Sequence, residues 1–321
     1  MSLHPQIVEF LNRMAGYGFR PTQELDPEEA RAQYLRTIAV RKVVPPPIGA
    51  TEDIAVPGPG GPIPVRLYRP ADVEGPLPVL VYYHGGGHVI GSIETHEAIT
   101  RALANGASCL VASVDYRLAP ESKFPAAAED SFVALQWIAA NAGKIGADAT
   151  RIAVGGDSAG GNLAAVATLM AREAGEPALV LQLLVYPVTD FACNTPSYAT
   201  YASGFGSLQA PTMHWFRDHY LRGPGDAADW RAAPLQAARL DDLPPACILL
   251  AQCDVLRDEG AAYAERLTAA GVPVEEVEYP GMIHGFFALA PLIDDAVAAQ
   301  AKASAALRAA FKIAHDAPNT A

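Results

Sequence analysis

Four short stretches of this chain carry side chains that could do chemistry together. In the first, Ile152-Ala153-Val154-Gly155-Gly156-Asp157-Ser158-Ala159-Gly160-Gly161-Asn162-Leu163, an apolar run passes through a glycine-bracketed serine into an alanine-rich helical pattern. A serine hydroxyl becomes a useful nucleophile only when a base takes its proton and its oxygen is held clear of the backbone. Gly156 and Gly160 stand two residues either side of Ser158, where absent side chains let a strand turn sharply into a helix with the serine at a strained bend. The second stretch, His84-Gly85-Gly86-Gly87, can turn successive backbone N–H groups toward one point, as acyl transfer requires where negative charge develops on a carbonyl oxygen. A phosphate-cradling loop is the competing reading, but the Lys-Ser/Thr pair usual in nucleotide sites does not follow. Gly86, Gly87 and Ala159 are the candidate donors, with Gly85 as a further one. The remaining stretches, Cys253-Asp254-Val255-Leu256-Arg257-Asp258-Glu259 and Gly281-Met282-Ile283-His284-Gly285-Phe286-Phe287, offer a base, His284, and an acid to orient it, Asp254.

These residues need a scaffold that brings them to one place. Apolar runs at Pro78–Tyr83, Cys109–Val114, Ile152–Val154, Leu179–Tyr186 and Ala246–Ala251 read as strands covered on both faces, with a last strand at Val274–Tyr279. A hairpin is expected upstream, where Asp53–Val56 and Ile63–Tyr68 flank the turn-forming Pro57-Gly58-Pro59-Gly60-Gly61-Pro62. Helical patterns fall near 95–105, 125–141 and 159–173, from Glu259 to Ala270, and from Ala288 to Phe311. Strands alternating with helices predict a mostly parallel sheet with helices on both faces, and ligands at the carboxyl ends of its strands. Ser158, Asp254 and His284 each follow such an end.

Two regions stand outside the alternation. The first 45 residues hold a helical pattern at Ile7, Phe10, Leu11 and Met14, and a second helix start at Asp26-Pro27-Glu28-Glu29. They read equally as plain packing and as part of a cover. Thr189 to Leu243 carries eight aromatics, Phe191, Tyr198, Tyr201, Phe205, Trp215, Phe216, Tyr220 and Trp230, without a central strand. It is read as a substrate-facing cap, although its aromatics would equally make a small core of its own.

Composition narrows the function class. Lys and Arg total 23 against 35 Asp and Glu, a net charge of −12 with no basic run, which disfavours nucleic acid and anionic membrane surfaces. No apolar run approaches the roughly 20 residues that cross a bilayer, and no secretory leader is evident, so a soluble cytoplasmic protein is expected. Cys109, Cys193, Cys247 and Cys253 form no CxxC pair and read as buried free thiols rather than disulfides or metal ligands. Rivals to the chosen site residues are Asp258 and Asp190 for the acid, and His4, His84, His214, His219 and His315 for the base.

Taken together, His84-Gly85-Gly86-Gly87, Asp115-Tyr116-Arg117-Leu118-Ala119-Pro120-Glu121, Gly156-Asp157-Ser158-Ala159-Gly160-Gly161 and Asp254–Glu259 with His284-Gly285-Phe286 resemble the hormone-sensitive-lipase-like carboxylesterases of bacteria, over roughly Pro78 to Phe287. The order serine, aspartate, histidine is that of α/β-hydrolases. The resemblance implies an α/β-hydrolase fold with an eight-stranded core (46–189 and 244–321) and a helical cap built from residues 1–45 and the 190–243 insertion. It implies hydrolysis of short- to medium-chain acyl esters through a Ser158–His284–Asp254 triad and an acyl-enzyme, with no cofactor or metal, and a possible homodimer. Asp115 and Glu121 are expected to hold the loops around the oxyanion site, with His84 and Asp157 also supporting it. His88 departs from the bulky aromatic or apolar residue usual in the family, and the candidate pocket residues are His88, Phe205, Leu208, Ile283 and Phe286. Two other readings use the same scaffold: an amidase or peptidase, and a non-catalytic small-molecule receptor like the plant gibberellin receptors, which lack the working histidine.

Overall fold

The structure, a computed structural model, describes residues 2–202, 205 and 208–312. Eight strands form one sheet: β1 (Ala50–Gly58), β2 (Gly61–Arg69), β3 (Leu77–Tyr83), β4 (Leu110–Val114), β5 (Ala147–Asp157), β6 (Leu181–Val185), β7 (Ala246–Cys253) and β8 (Val274–Ile283). Their order is β1-β2-β4-β3-β5-β6-β7-β8, antiparallel at β1/β2 and β2/β4 and parallel from β4 to β8. Every residue of β3, β4 and β6 is buried, so both faces of the central sheet are covered, as their largely apolar sequences require.

The covering helices are α3 (Glu97–Ala107), α4 (Ala126–Ala140), α5 (Ala159–Ala174), α8 (Arg257–Ala269) and α9 (Asp294–Ala310), with α3 packed on α9 and α4 on α5. Before β1 come α1 (Pro5–Ala15) and α2 (Pro27–Arg41). The second starts at a capping box: Asp26 accepts from the Glu29 amide at 2.9 Å, and Glu29 accepts from the Asp26 amide at 3.3 Å. Between β6 and β7 the described residues form α6 (Pro196–Tyr201) and α7 (Ala210–Tyr220) and no strand.

The chain leaves β3 toward β4 on one side and β5 toward β6 on the other. That divergence opens a crevice at the carboxyl ends of β3 and β5, the usual ligand position in such sheets. Tyr83 pairs with Gly156 across it, so the glycine loop after β3 and Ser158 after β5 leave the sheet together.

Two boundaries differ from expectation. The last strand runs past Tyr279 to Ile283, because the register passes from Ala251↔Tyr279 to Cys253↔Ile283 through a bulge that inserts two extra residues in β8. Gly281 sits there at φ +69; its amide donates to Gln252 Oε1 at 3.0 Å and its carbonyl accepts from the His4 amide at 3.1 Å. The final helix begins at Asp294 rather than Ala288, since Phe286–Leu289 form a 3-10 turn and Pro291 holds Ala290 extended at ψ 137. The four cysteines are unpaired, three buried and Cys193 half-buried. Among the described residues no helix is long and apolar enough to cross a membrane, and no cluster of side chains has a metal-binding arrangement.

Candidate active site

Ser158 sits between β5 and α5 at φ 56, ψ −119, a conformation that L-residues adopt only under constraint. Its amide donates to Val185 O at 2.8 Å. The bend needs both flanking glycines. A Cβ at Gly160 would overlap the carbonyl of Tyr83, and one at Gly156 would meet the backbone of Gly160.

Cys253 and Ile283 are register partners, so the residues that follow them, Asp254 and His284, leave the sheet abreast. The β8 bulge decides this: an unbulged register would set Gly281, not Ile283, opposite Cys253. His284 Nδ1 lies 2.6 Å from Asp254 Oδ2, and His284 Nε2 lies 2.9 Å from Ser158 Oγ. The buried Asp254 carboxylate accepts the Nδ1 proton, which leaves Nε2 as the acceptor for the serine hydroxyl. Its other oxygen accepts from the Leu256 amide at 3.0 Å. The rival Asp258 is turned elsewhere, pairing with Arg257 and accepting from the Ser197 amide at 2.7 Å.

The glycine loop lies beside Ser158. Gly86 (φ +125) and Gly87 (φ +60) border the same cavity as the serine, and a Cβ on either would collide with Ile90 O or the Phe216 ring. Among the described residues, the N–H groups of Gly86, Gly87 and Ala159 have no hydrogen-bond acceptor and are free to bind an oxyanion. Gly85 is not free. Its amide donates to Asp157 Oδ1 at 3.1 Å, so it anchors the loop rather than facing the cavity.

Asp157 is the centre of that anchor. Tyr82 donates its hydroxyl to Oδ1 at 2.7 Å, and His96 Nε2 lies 3.4 Å from Oδ2. Burial alone would raise its carboxyl pKa, but the His96 charge and the hydrogen bonds from His96 and Tyr82 outweigh it and hold the value below the ordinary one. His84 stacks on Tyr116 at 4.3 Å, and the Tyr116 hydroxyl donates to His84 O at 2.7 Å, fixing the first residue of the loop. Asp115 approaches His84 Nε2 only to 3.6 Å, too long for a hydrogen bond, so its contribution there is electrostatic.

Glu121 acts at one remove. Its carboxylate takes both terminal nitrogens of Arg31 from α2, at 2.8 and 2.7 Å, and this holds its pKa down at about 2. Arg31 in turn donates to Val89 O and Ala119 O, each at 2.8 Å. Sequence reasoning missed Arg31. Its only local signal was a basic residue in the first turns of α2, and its loop partners lie 58 and 88 residues away.

A cavity of about 660 Å³ opens above Ser158 and His284, within the ordinary range for small-molecule sites. Its walls come from α1, α2 and α7, the loop before α2, and residues flanking Gly86, Ser158 and His284. Phe205, Leu208 and Ile283 line it as expected. His88 and Phe286 do not. His88, at φ 62, turns its ring away from the cavity and stacks it on Tyr220 at 3.9 Å, where burial pushes its pKa down to about 3. Phe286 is fully buried against Tyr279 and Tyr186 because the 3-10 turn after Gly285 directs it into the core. Tyr186 takes the place sequence reasoning assigned to Phe286. It lines the cavity at φ 34 with its ring 4.5 Å from that of His284.

Comparison with known proteins agrees with this fold. The family description of the alpha/beta hydrolase fold matches residues 80–288. The chain is 46% identical over 253 residues to carboxylesterase NlhH of Mycobacterium tuberculosis, covering 78% of this chain and 79% of that protein. It is 38% identical over 305 residues to an ethyl acetate hydrolase of Pseudomonas putida, covering 92% and 95%. Among solved structures, a hyperthermophilic esterase from the archaeon Pyrobaculum calidifontis superposes with a TM-score of 0.92 at 43% identity, covering 96% of this chain and 99% of the other. With an elbow serine, a glycine loop and relatives named for ester hydrolysis over most of its length, the chain belongs to the α/β-hydrolase family and, within it, to the hormone-sensitive-lipase-like carboxylesterases.

Proposed function

We propose that the chain hydrolyses short- to medium-chain carboxylic esters through an acyl-enzyme on Ser158. Neutral His284 takes the hydroxyl proton as Ser158 Oγ attacks the ester carbonyl, and Asp254 stabilises the imidazolium that forms. The N–H groups of Gly86, Gly87 and Ala159 receive the oxyanion, and His284 then protonates the departing alcohol. Water enters by the same route: His284 removes its proton, the hydroxide attacks the acyl carbonyl, and the acid leaves as Ser158 recovers its proton. Because the imidazole must begin neutral, the rate falls in acid.

The observation that carries this reading is the continuous hydrogen-bond chain from Asp254 through His284 to Ser158, 2.6 and 2.9 Å, beside amides that have no acceptor of their own among the described residues. A receptor without a working base is disfavoured by the same distances. In this reading residues 1–45 and 190–243 act as the cap, since these two segments together supply most of the cavity wall and its size suits acyl groups of modest length. The test is a panel of p-nitrophenyl esters of rising chain length with the wild type and Ser158→Ala, together with labelling by an organophosphonate. Turnover and labelling are expected in the wild type only. Labelling that persists in Ser158→Ala would refute the assignment of the nucleophile.

A further inference from the structure

The cavity above Ser158 is not uniformly apolar. Two cationic side chains line it, Arg20 and Arg41, and a single carboxylate, Asp157. Arg20 is engaged: it donates to Glu24 O at 2.6 Å and lies 3.8 Å from Glu29. Asp157 is engaged as well, by Tyr82, Gly85 and His96. Arg41, in the last turn of α2, is different. Among the described residues it has no ion pair within 4.0 Å and no hydrogen bond, and its Nε is shielded from solvent without a partner.

A guanidinium with its Nε–H withdrawn from water costs free energy unless an acceptor replaces that lost hydration. Its position at the carboxyl end of α2 relieves part of that cost through the helix dipole, but supplies no acceptor to Nε. The nearby cavity wall is polar and uncharged, with Thr37, Tyr34 and Gln33 on the same helix and Tyr186 opposite the catalytic histidine. Tyr186 brings to the cavity a buried hydroxyl that also has no partner among the described residues. A planar fork of N–H donors matches a carboxylate better than any neutral group.

We propose that Arg41 is a specificity-determining residue that recruits esters carrying a free carboxylate, on the acyl or the alcohol side of the scissile bond. The inference rests on the hydrolase reading above and specifies its substrate class. The net charge of −12 does not oppose it at physiological salt, where charges more than about 8 Å from the bound carboxylate are largely screened. Hydrolysis itself is unchanged: water adds across the acyl–oxygen bond, giving an acid and an alcohol.

The experiment compares wild type, Arg41→Gln and Arg41→Lys by pH-stat titration of released acid. One arm sets monomethyl esters of linear dicarboxylic acids against methyl alkanoates of equal length; the other sets acetyl esters of ω-hydroxy acids against alkyl acetates. The measured quantity is the ratio of kcat/KM for the carboxylated ester to that for its neutral counterpart. In at least one arm Arg41→Gln is expected to lower that ratio about 10- to 100-fold, mostly through KM, and Arg41→Lys to restore part of it. The arm that responds identifies which side carries the carboxylate. A ratio that Arg41→Gln leaves unchanged in both arms, whether or not both rates fall, would assign Arg41 a structural role and overturn the proposal. Failure of the wild type on the neutral esters too would instead overturn the hydrolase reading, and this proposal with it.

Discussion

Two buried carboxylates lie close to the candidate site, and their surroundings shift their pKa values in opposite directions. Asp157, in the crevice between β3 and β5, receives a phenol, a backbone amide and an imidazole, and its pKa is held below the ordinary value despite burial. Glu259, at the start of α8, is as deeply buried, but only its Oε1 is served, by the amides of Thr189 at 2.8 Å and Asp190 at 3.3 Å, while Oε2 has no partner. Burial therefore raises its pKa well above the ordinary value, helped by the charges of Asp190 and Asp254. Burial alone does not set ionisation; the supply of donors does. Asp157 anchors the loop that would bind an oxyanion, and Glu259 pins the segment where the 190–243 insertion begins.

The comparison can be broken at several points, and the largest effect is expected at a third buried acid, Asp254. Asp254→Asn should lower kcat about 10⁴-fold with the fold intact, because an amide there favours the wrong imidazole tautomer. Steady-state kinetics and circular dichroism check both halves. Asp157→Ala should lower kcat about 10²-fold by freeing the Gly85 amide and loosening the loop, and should cost about 3 kcal/mol of stability at pH 7 by removing a buried charge partner. The stabilising contribution of Asp157 is present above its unfolded pKa of about 3.9 and lost as pH falls through its lower folded value. The gap in Tm between wild type and this variant should therefore close below about pH 4.

Arg31→Gln should act more weakly, a several-fold loss of kcat/KM. It releases Glu121 and the carbonyls of Val89 and Ala119 but leaves Asp157 in place. The smallest effect at neutral pH is expected for Glu259→Gln, which copies the shape of the protonated acid. The sign here is the reverse of Asp157: the folded pKa is raised, so the wild type loses stability as pH rises above about 4.3 toward the folded value, and the amide does not. Thermal unfolding should show Glu259→Gln gaining on the wild type between pH 5 and pH 8. A constant difference across that range would mean that Glu259 is ionised in the fold.

Much of the architecture was legible because strong local patterns survive folding. Largely apolar runs located β3, β4 and β6, the proline- and glycine-rich cluster located the β1–β2 hairpin, and Asp26-Pro27-Glu28-Glu29 located the start of α2. Pro280-Gly281 misled, since a proline and glycine normally end a strand but here form a bulge inside β8. The site was legible in its glycines and in the three side chains that now lie within hydrogen-bonding distance of one another. It was not legible in its walls. His88 and Phe286 were expected in the pocket, yet a left-handed backbone at His88 and a 3-10 turn at Phe286 send both rings into the core.

Residue types and spacing by themselves determined the strand–turn–helix at Ser158, the glycine loop after β3 and the placement of each candidate group at a strand's carboxyl end. These depend on backbone sterics and hydrophobic periodicity within a few residues. Only the tertiary structure decided that Gly85 faces Asp157, that Arg31 ties α2 to the loop, and that Arg41 reaches the cavity with no counter-ion among the described residues. The partners in those contacts come from distant parts of the chain, and which donor meets which acceptor follows from side-chain direction and packing, which no local pattern encodes.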